Sequence, residues 1–139
     1  MTMMNKEDKE LLLQDLCARL PFDNLVEYKG EEYNVLGIAH ERLVLCKPFM
    51  SYTLNEHPLV EEVKPYLFPL SSMTEEQKQE YSYIVNYIIP DDTENWKEGE
   101  FIYVEQFTQL MHFYHINHLD YRGFIPMGLA IDATGLNIY

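Results

Sequence analysis

Long apolar runs, paired cysteines and positive charge are what this chain has least of. Its longest strongly apolar run, Phe124 to Ile131, falls far short of the roughly 20 residues a membrane-spanning helix needs. Met1 to Lys9 is polar and lacks the apolar centre of a secretory signal. Cys17 and Cys46 form no C-x-x-C pair, so the expectation is reduced thiols in a cytoplasm, with Cys17 a small buried hydrophobe beside an apolar helix face. Ten basic residues stand against 23 acidic ones, a net charge of −13, and Arg19, Arg42 and Arg122 are the only guanidinium groups. Nucleic-acid phosphates are held by positive charge that releases counterions, so direct nucleic-acid binding is not expected.

Several motifs are missing as well. No G-x-G-x-x-G and no G-x-S-x-G occurs, which removes the usual dinucleotide and hydrolase signatures. Gly123 to Gly128 has the glycine spacing of a phosphate loop, but Leu129-Ala130 replaces the required Lys-Ser/Thr and Pro126 has no amide proton. No cofactor is therefore expected.

What is present is the content of one soluble domain: 139 residues, 47% hydrophobic, with eleven tyrosines among 14% aromatics. The acids recur in pairs, Glu31-Glu32, Glu61-Glu62, Glu75-Glu76 and Asp91-Asp92. They read either as a solvated surface or as a surface that imitates DNA and occupies a nucleic-acid-binding protein.

Asn5 caps a helix expected to reach about Arg19, with Leu12, Leu13, Leu16 and Leu20 on one face and Pro21 ending it. Short β-rich runs follow at Leu25–Tyr28, Tyr33–Ile38 and Leu43–Cys46, broken by Lys29-Gly30 and His40-Glu41-Arg42, the pattern of an antiparallel meander. Gly37 marks a bulge within it. Four prolines between Pro48 and Pro69 argue against long regular structure there, although Val60 to Val63 suits one short edge strand. Thr74-Glu75-Glu76-Gln77 has the form of a capping box opening a helix to about Ile89, with Tyr81, Ile84, Val85 and Ile88 inward and Pro90 as the stop. A third helix is expected from Tyr103 to about Asn117, and the run from Phe124 to Ile131 returns to the core as an extended segment.

The fold expected is α+β: a small antiparallel sheet of three or four strands, with an SH3-like curve as one option, packed with about three helices. Residues 1–139 form one domain, an N-terminal helix and meander over 5–65 and a helical half over 74–139.

Chemistry concentrates in the second half. His112, His115 and His118 form H-x-x-H-x-x-H, spacing at which adjacent imidazoles on a helix share a face and are candidate metal ligands. They compete with an apolar arc of Val104, Phe107, Met111 and Tyr114, and neither a cysteine nor H-E-x-x-H completes a zinc set, so no metal is expected. Asp120-Tyr121-Arg122-Gly123 reads as a helix exit, with Gly123 suited to a left-handed backbone and Arg122 to bridging carbonyls or a carboxylate. His115, His118, Asp120 and Arg122 are also the candidate catalytic groups of a small hydrolase or metal-dependent enzyme. Trp96, alone in a polar connector, is the candidate partner anchor.

Three runs, LCARLPF (16–22), VKPYLFPLSSMTEEQ (63–77) and LDYRGFIPMGLAID (119–132), resemble an uncharacterised group of small proteins from gut Bacteroides-type bacteria and their prophages or other mobile elements. The group has Pro-Tyr-Gly after the first helix and Glu-Ala-Pro after the last apolar run, where this chain has Pro21-Phe22-Asp23 and Asp132-Ala133-Thr134. The resemblance implies a bacterial or phage cytoplasmic protein and carries no catalytic residue with it. The function expected is a non-enzymatic accessory module that binds another protein, as monomer or homodimer.

Overall fold

The computed structural model describes residues 4–48, 56–88 and 96–139, and the side chains of 86–88 and 96–104 are not described. Helix α1 spans Lys6–Ala18, and the Asp8 amide donates to Asn5 Oδ1 at 2.7 Å, the cap its sequence predicts. Strands β1 (Leu25–Tyr28), β2 (Glu31–Ala39) and β3 (Arg42–Cys46) form the meander, with a register shift between Val35 and Gly37. That shift is the bulge expected at Gly37.

The sheet has five strands rather than three or four, in the order β3-β2-β1-β4-β5. The short edge strand expected over Val60 to Val63 is instead one turn of 3₁₀ helix, Val60–Glu62, which delivers β4 (Val63–Leu67) into the interior of the sheet beside β1. Pro65 sits opposite Val26 there. A proline is tolerated at that point because β5 (Ile131–Asp132) pairs only with Tyr66 and Leu67, beyond it. The β4–β5 pairing is parallel, so the sheet is mixed. The last apolar run, expected to return as an extended segment, instead folds as turns and bends over 124–130, and only Ile131 joins β5; Leu129 and Ala130 are buried and Ile131 is half-buried.

One face of the sheet packs on α1. Leu12 and Leu16 meet Val26, Val35, Leu43, Leu45, Val63 and Leu67, closed at one end by Phe124. The other face carries a smaller apolar group, Leu25, Tyr66 and Ala133, with Ile138 packed against it. Tyr139 fastens this C-terminal segment across two strands: its hydroxyl donates to the Tyr66 carbonyl at 3.0 Å and accepts the Leu25 amide at 3.2 Å.

Helices α2 (Glu75–Ile88) and α3 (Trp96–Ile116) pack together through Ile84, Leu110, Phe113 and Tyr114, with Tyr81 and Val85 at the edge. The capping box of α2 is complete: Gln77 N donates to Thr74 Oγ1 at 3.1 Å and Thr74 N to Gln77 Oε1 at 2.9 Å. Helix α3 starts seven residues before the expected Tyr103, at Trp96. The inward arc of α3 also differs from the expected one, since Phe107 is exposed while Leu110 and Phe113 are buried. Val104 and Ile88 lie outside the described side chains, as does that of Trp96, the candidate anchor.

Candidate functional site

The last turn of α1, the last turn of α3 and the loop 119–125 meet at one junction, and a charged cluster lies inside it. Asp15 sits three residues after Leu12 on the face of α1 that enters the core, and Arg19 lies one helical turn further on. Both are buried, at 0% and 1% exposure. Burying charges this deeply is tolerable only when they are paired and hydrogen-bonded. Arg19 Nε donates to Asp15 Oδ2 at 2.8 Å, and Nη2 donates to Asp15 Oδ1 at 3.2 Å and to the Leu119 carbonyl at 2.7 Å. Arg122, from the opposite end of the chain, donates through Nε to the same Asp15 Oδ1 at 3.2 Å. One carboxylate therefore serves two guanidinium groups, and Arg19 Nη1 is buried without a hydrogen-bond partner among the described residues.

Tyr121 is the centre of the cluster. Its ring stacks on Tyr114 with centroids 4.8 Å apart, and the guanidinium carbons of Arg19 and Arg122 lie 5.3 and 5.2 Å from the Tyr121 centroid. Its hydroxyl is 2.9 Å from His115 Nε2, a hydrogen bond whose direction follows the imidazole tautomer. Burial lowers the His115 pKa, reinforced by the charges of Arg19 and Arg122 and opposed by Asp15. Phe22 completes the wall, edge-on to His112 at 5.2 Å and 6.3 Å from His115.

The three histidines do not share a face. His112 is exposed, His115 is buried, and His118 has left the helix, which ends at Ile116. His118 takes a left-handed backbone, φ 55°, and its imidazole lies on the Tyr139 ring with centroids 3.5 Å apart and 12° between planes. Burial first, and the Arg19 charge second, push its pKa down to about 4. Among the described residues no group of three His, Cys, Asp or Glu is placed to hold a metal.

Asp120 is occupied by the fold. Its two carboxylate oxygens accept the amides of Phe124 and Ile125, each at 2.8 Å, and its own amide donates to the Phe68 carbonyl. The helix exit lies earlier than the expected Asp120-Tyr121-Arg122-Gly123: α3 ends at Ile116, and left-handed His118 closes it, with the Leu119 amide donating to the Tyr114 carbonyl at 2.9 Å. Asp120 to Gly123 is the turn that follows, and Gly123 takes the left-handed φ of 76°. Arg122 bridges to a carboxylate as expected, although nothing marked Asp15 as that carboxylate. Cys17, expected to be buried, is exposed; Cys46 is the buried thiol.

Two hollows of about 420 and 530 Å³ flank α1, the first lined by Lys6, Lys9, Glu41 and Leu59 among others, the second by Leu13, Gln14 and Cys17. A third of about 160 Å³ lies by Thr74, Gln77 and Asn117. None of the three contains His112, His115, His118, Asp120 or Arg122. No family model, no curated protein and no solved structure matches the chain.

Proposed function

We propose that this protein is a non-enzymatic interaction module that binds another protein through the junction of α1, α3 and the loop 119–125, in a bacterial or phage cytoplasm as an accessory of a mobile element. The observation that carries this reading is the employment of the candidate catalytic groups. Asp120 spends both oxygens on backbone amides, His118 stacks on Tyr139, and His115 is tied to Tyr121. What the junction leaves at the surface is the exposed His112 and the half-buried Phe22, Tyr121 and Arg122. Aromatic and arginine side chains of this kind dominate protein interfaces. Residence in a mobile element rests on the resemblance of the three sequence runs, and a cytoplasmic setting accords with the absence, among the described residues, of any helix long and apolar enough to cross a membrane.

The acidic surface supports a general interaction role better than imitation of DNA. Lysines interrupt it at Lys9–Glu61, Lys47–Glu31 and Lys78–Glu75, and Lys64 faces Glu27 across β1 and β4. A phosphate-like row needs uninterrupted negative charge.

The test is capture of the tagged full chain from a Bacteroides-type lysate, in parallel with a Phe22→Ala/His112→Ala variant that keeps the wild-type melting temperature. A stoichiometric protein partner retained by the wild type and lost by the variant is the expected result. Retention of the same proteins by both would overturn the assignment of this surface. An acid–base enzyme built on the His115–Tyr121 pair is the second reading, and hydrolytic turnover abolished by Tyr121→Phe would favour it.

A further inference from the structure

The junction is short of negative charge in a protein that otherwise has it in excess. Two of the three arginines in the chain converge on Asp15, and His115 faces Arg19, Arg122 and His112 against that single carboxylate. The nearby Asp120 is bonded to amides and pairs with neither guanidinium. Asp23 faces the His118 side of the cluster. Asp15 with Arg19 and Arg122 therefore leaves one unmatched positive charge, and Arg19 Nη1, fully buried, finds no acceptor among the described residues.

The two arginines divide the roles. Arg19 is sealed, whereas the Arg122 side chain retains 28% of its exposure. Arg122 is anchored from behind through Nε to Asp15 and lies against the Tyr121 ring. Its end-on edge, Nη1 and Nη2, has no hydrogen-bond partner among the described residues. An anchored, planar guanidinium with a free two-donor edge matches a carboxylate through two parallel hydrogen bonds, and its rotamer entropy is already spent.

We propose that this edge of Arg122, beside Tyr121 and backed by His115, is a binding site for a carboxylate. The inference rests on the interaction reading above and names the chemistry of the ligand group. A monoanion matches the single unmatched charge, and a dianionic phosphate would meet the field of a chain at −13 with twice the repulsion. The carboxylate comes from a free organic acid or from a protein, as an acidic side chain or a chain end. An aromatic group beside it would lie against Tyr121.

The experiment is an NMR titration of the full chain, reading the His115 imidazole and the Arg122 Nε–H, with N-acetylphenylalanine, its amide, acetate, a tripeptide ending in a free phenylalanine carboxylate, and inorganic phosphate. Saturable shifts with the carboxylates and none with the amide are expected. Arg122→Gln should weaken binding at least tenfold, and Arg122→Lys, which keeps the charge and loses the fork, several-fold. A tripeptide at least tenfold tighter than acetate identifies a protein chain end as the source; equal affinities identify a free acid. No saturable shift in the wild type, equal shifts with the amide, or tighter binding of phosphate would overturn the proposal. The wild-type comparison of acid with amide stands even if the Arg122 variants fail to fold. A silent titration leaves partner capture at Phe22 and His112 intact, so failure of the site and failure of the interaction reading are separable.

Discussion

Arg19 Nη2 donates to the carbonyl of Leu119, one hundred residues further along the chain, at 2.7 Å. This bond ties the end of α1 to the exit of α3, and further hydrogen bonds join the two halves of the molecule around it. The Phe68 amide donates to the His118 carbonyl at 2.8 Å, and the Ala133 amide to the Leu67 carbonyl at 2.8 Å. The segments 16–22, 63–77 and 119–132 thus meet at this junction.

Breaking the buried cluster from one side should cost far more than replacing it whole. Arg19→Met leaves Asp15 buried with only Arg122, and Asp15→Leu leaves a buried guanidinium with only a carbonyl to serve it. Each single change is expected to destabilise by about 3 to 5 kcal/mol, because the remaining charge loses its partner without returning to water. The double variant Asp15→Leu/Arg19→Met should be closer to wild type than the sum of the two. Urea midpoints for the four proteins close the cycle, and additive losses would show that the two residues act independently.

The sequence announces the elements and conceals this junction, for a physical reason. Caps, prolines and alternation are local, so Asn5, Thr74 with Gln77, the meander and the turn at Gly123 are all readable from neighbours in the chain. Asp15–Arg19 looks like an ordinary exposed i, i+4 pair, and the only hint of burial is its place between Leu12 and Leu16 on the apolar face. Arg122 finds Asp15 at a separation of 107 residues, and Arg19 reaches the Tyr121 ring across the same span of the chain. His118 misled because helical spacing holds only while the helix lasts, and α3 ends two residues before it. The strand β4 was hidden by Pro65, whose ordinary meaning is an edge.

His118 should make the fold acid-sensitive. Its pKa is about 4 in the folded chain against 6.5 for a free imidazole, with burial as the first cause. Between those values the unfolded chain binds the extra proton, so stability is full above about pH 6.5 and falls as pH drops towards 4. His115, also lowered, acts in the same direction. The His118 contribution is about 2 kcal/mol once the solvent reaching its ring is allowed for. In His118→Asn, which tolerates the left-handed backbone, the unfolding midpoint should vary less between pH 4 and 6.5. An unchanged slope would assign the acid response to other groups.

A gain in stability is available at the β2–β3 turn. His40 and Glu41 both hold positive φ, 53° and 67°, the geometry of a type I′ hairpin turn that asparagine and glycine adopt most readily. Glu41→Gly should stabilise by about 1 kcal/mol, since strain relieved in the folded turn outweighs the added freedom of the unfolded chain. Thermal melts at matched ionic strength measure it. A fall in midpoint would mean that the Glu41 side chain, which lines the hollow beside Lys6 and Lys9, holds that corner together.

Asp120 separates a structural role from a catalytic one. Its carboxylate accepts two amides at 2.8 Å, and substitution by alanine would leave the buried Phe124 amide without its acceptor. The expected loss is about 2 to 3 kcal/mol, because two charge-assisted bonds disappear together. Asp120→Asn keeps an acceptor oxygen for one of the two amides and loses the charge, so it should fall between wild type and Asp120→Ala. If Asp120 worked as an acid or base, asparagine would be as damaging as alanine to whatever activity the protein has, while its stability stayed near wild type. Urea unfolding of the pair distinguishes these outcomes without a known substrate: a graded loss of stability assigns Asp120 to the turn, and two variants as stable as wild type would release it from the fold and return it to the list of catalytic candidates.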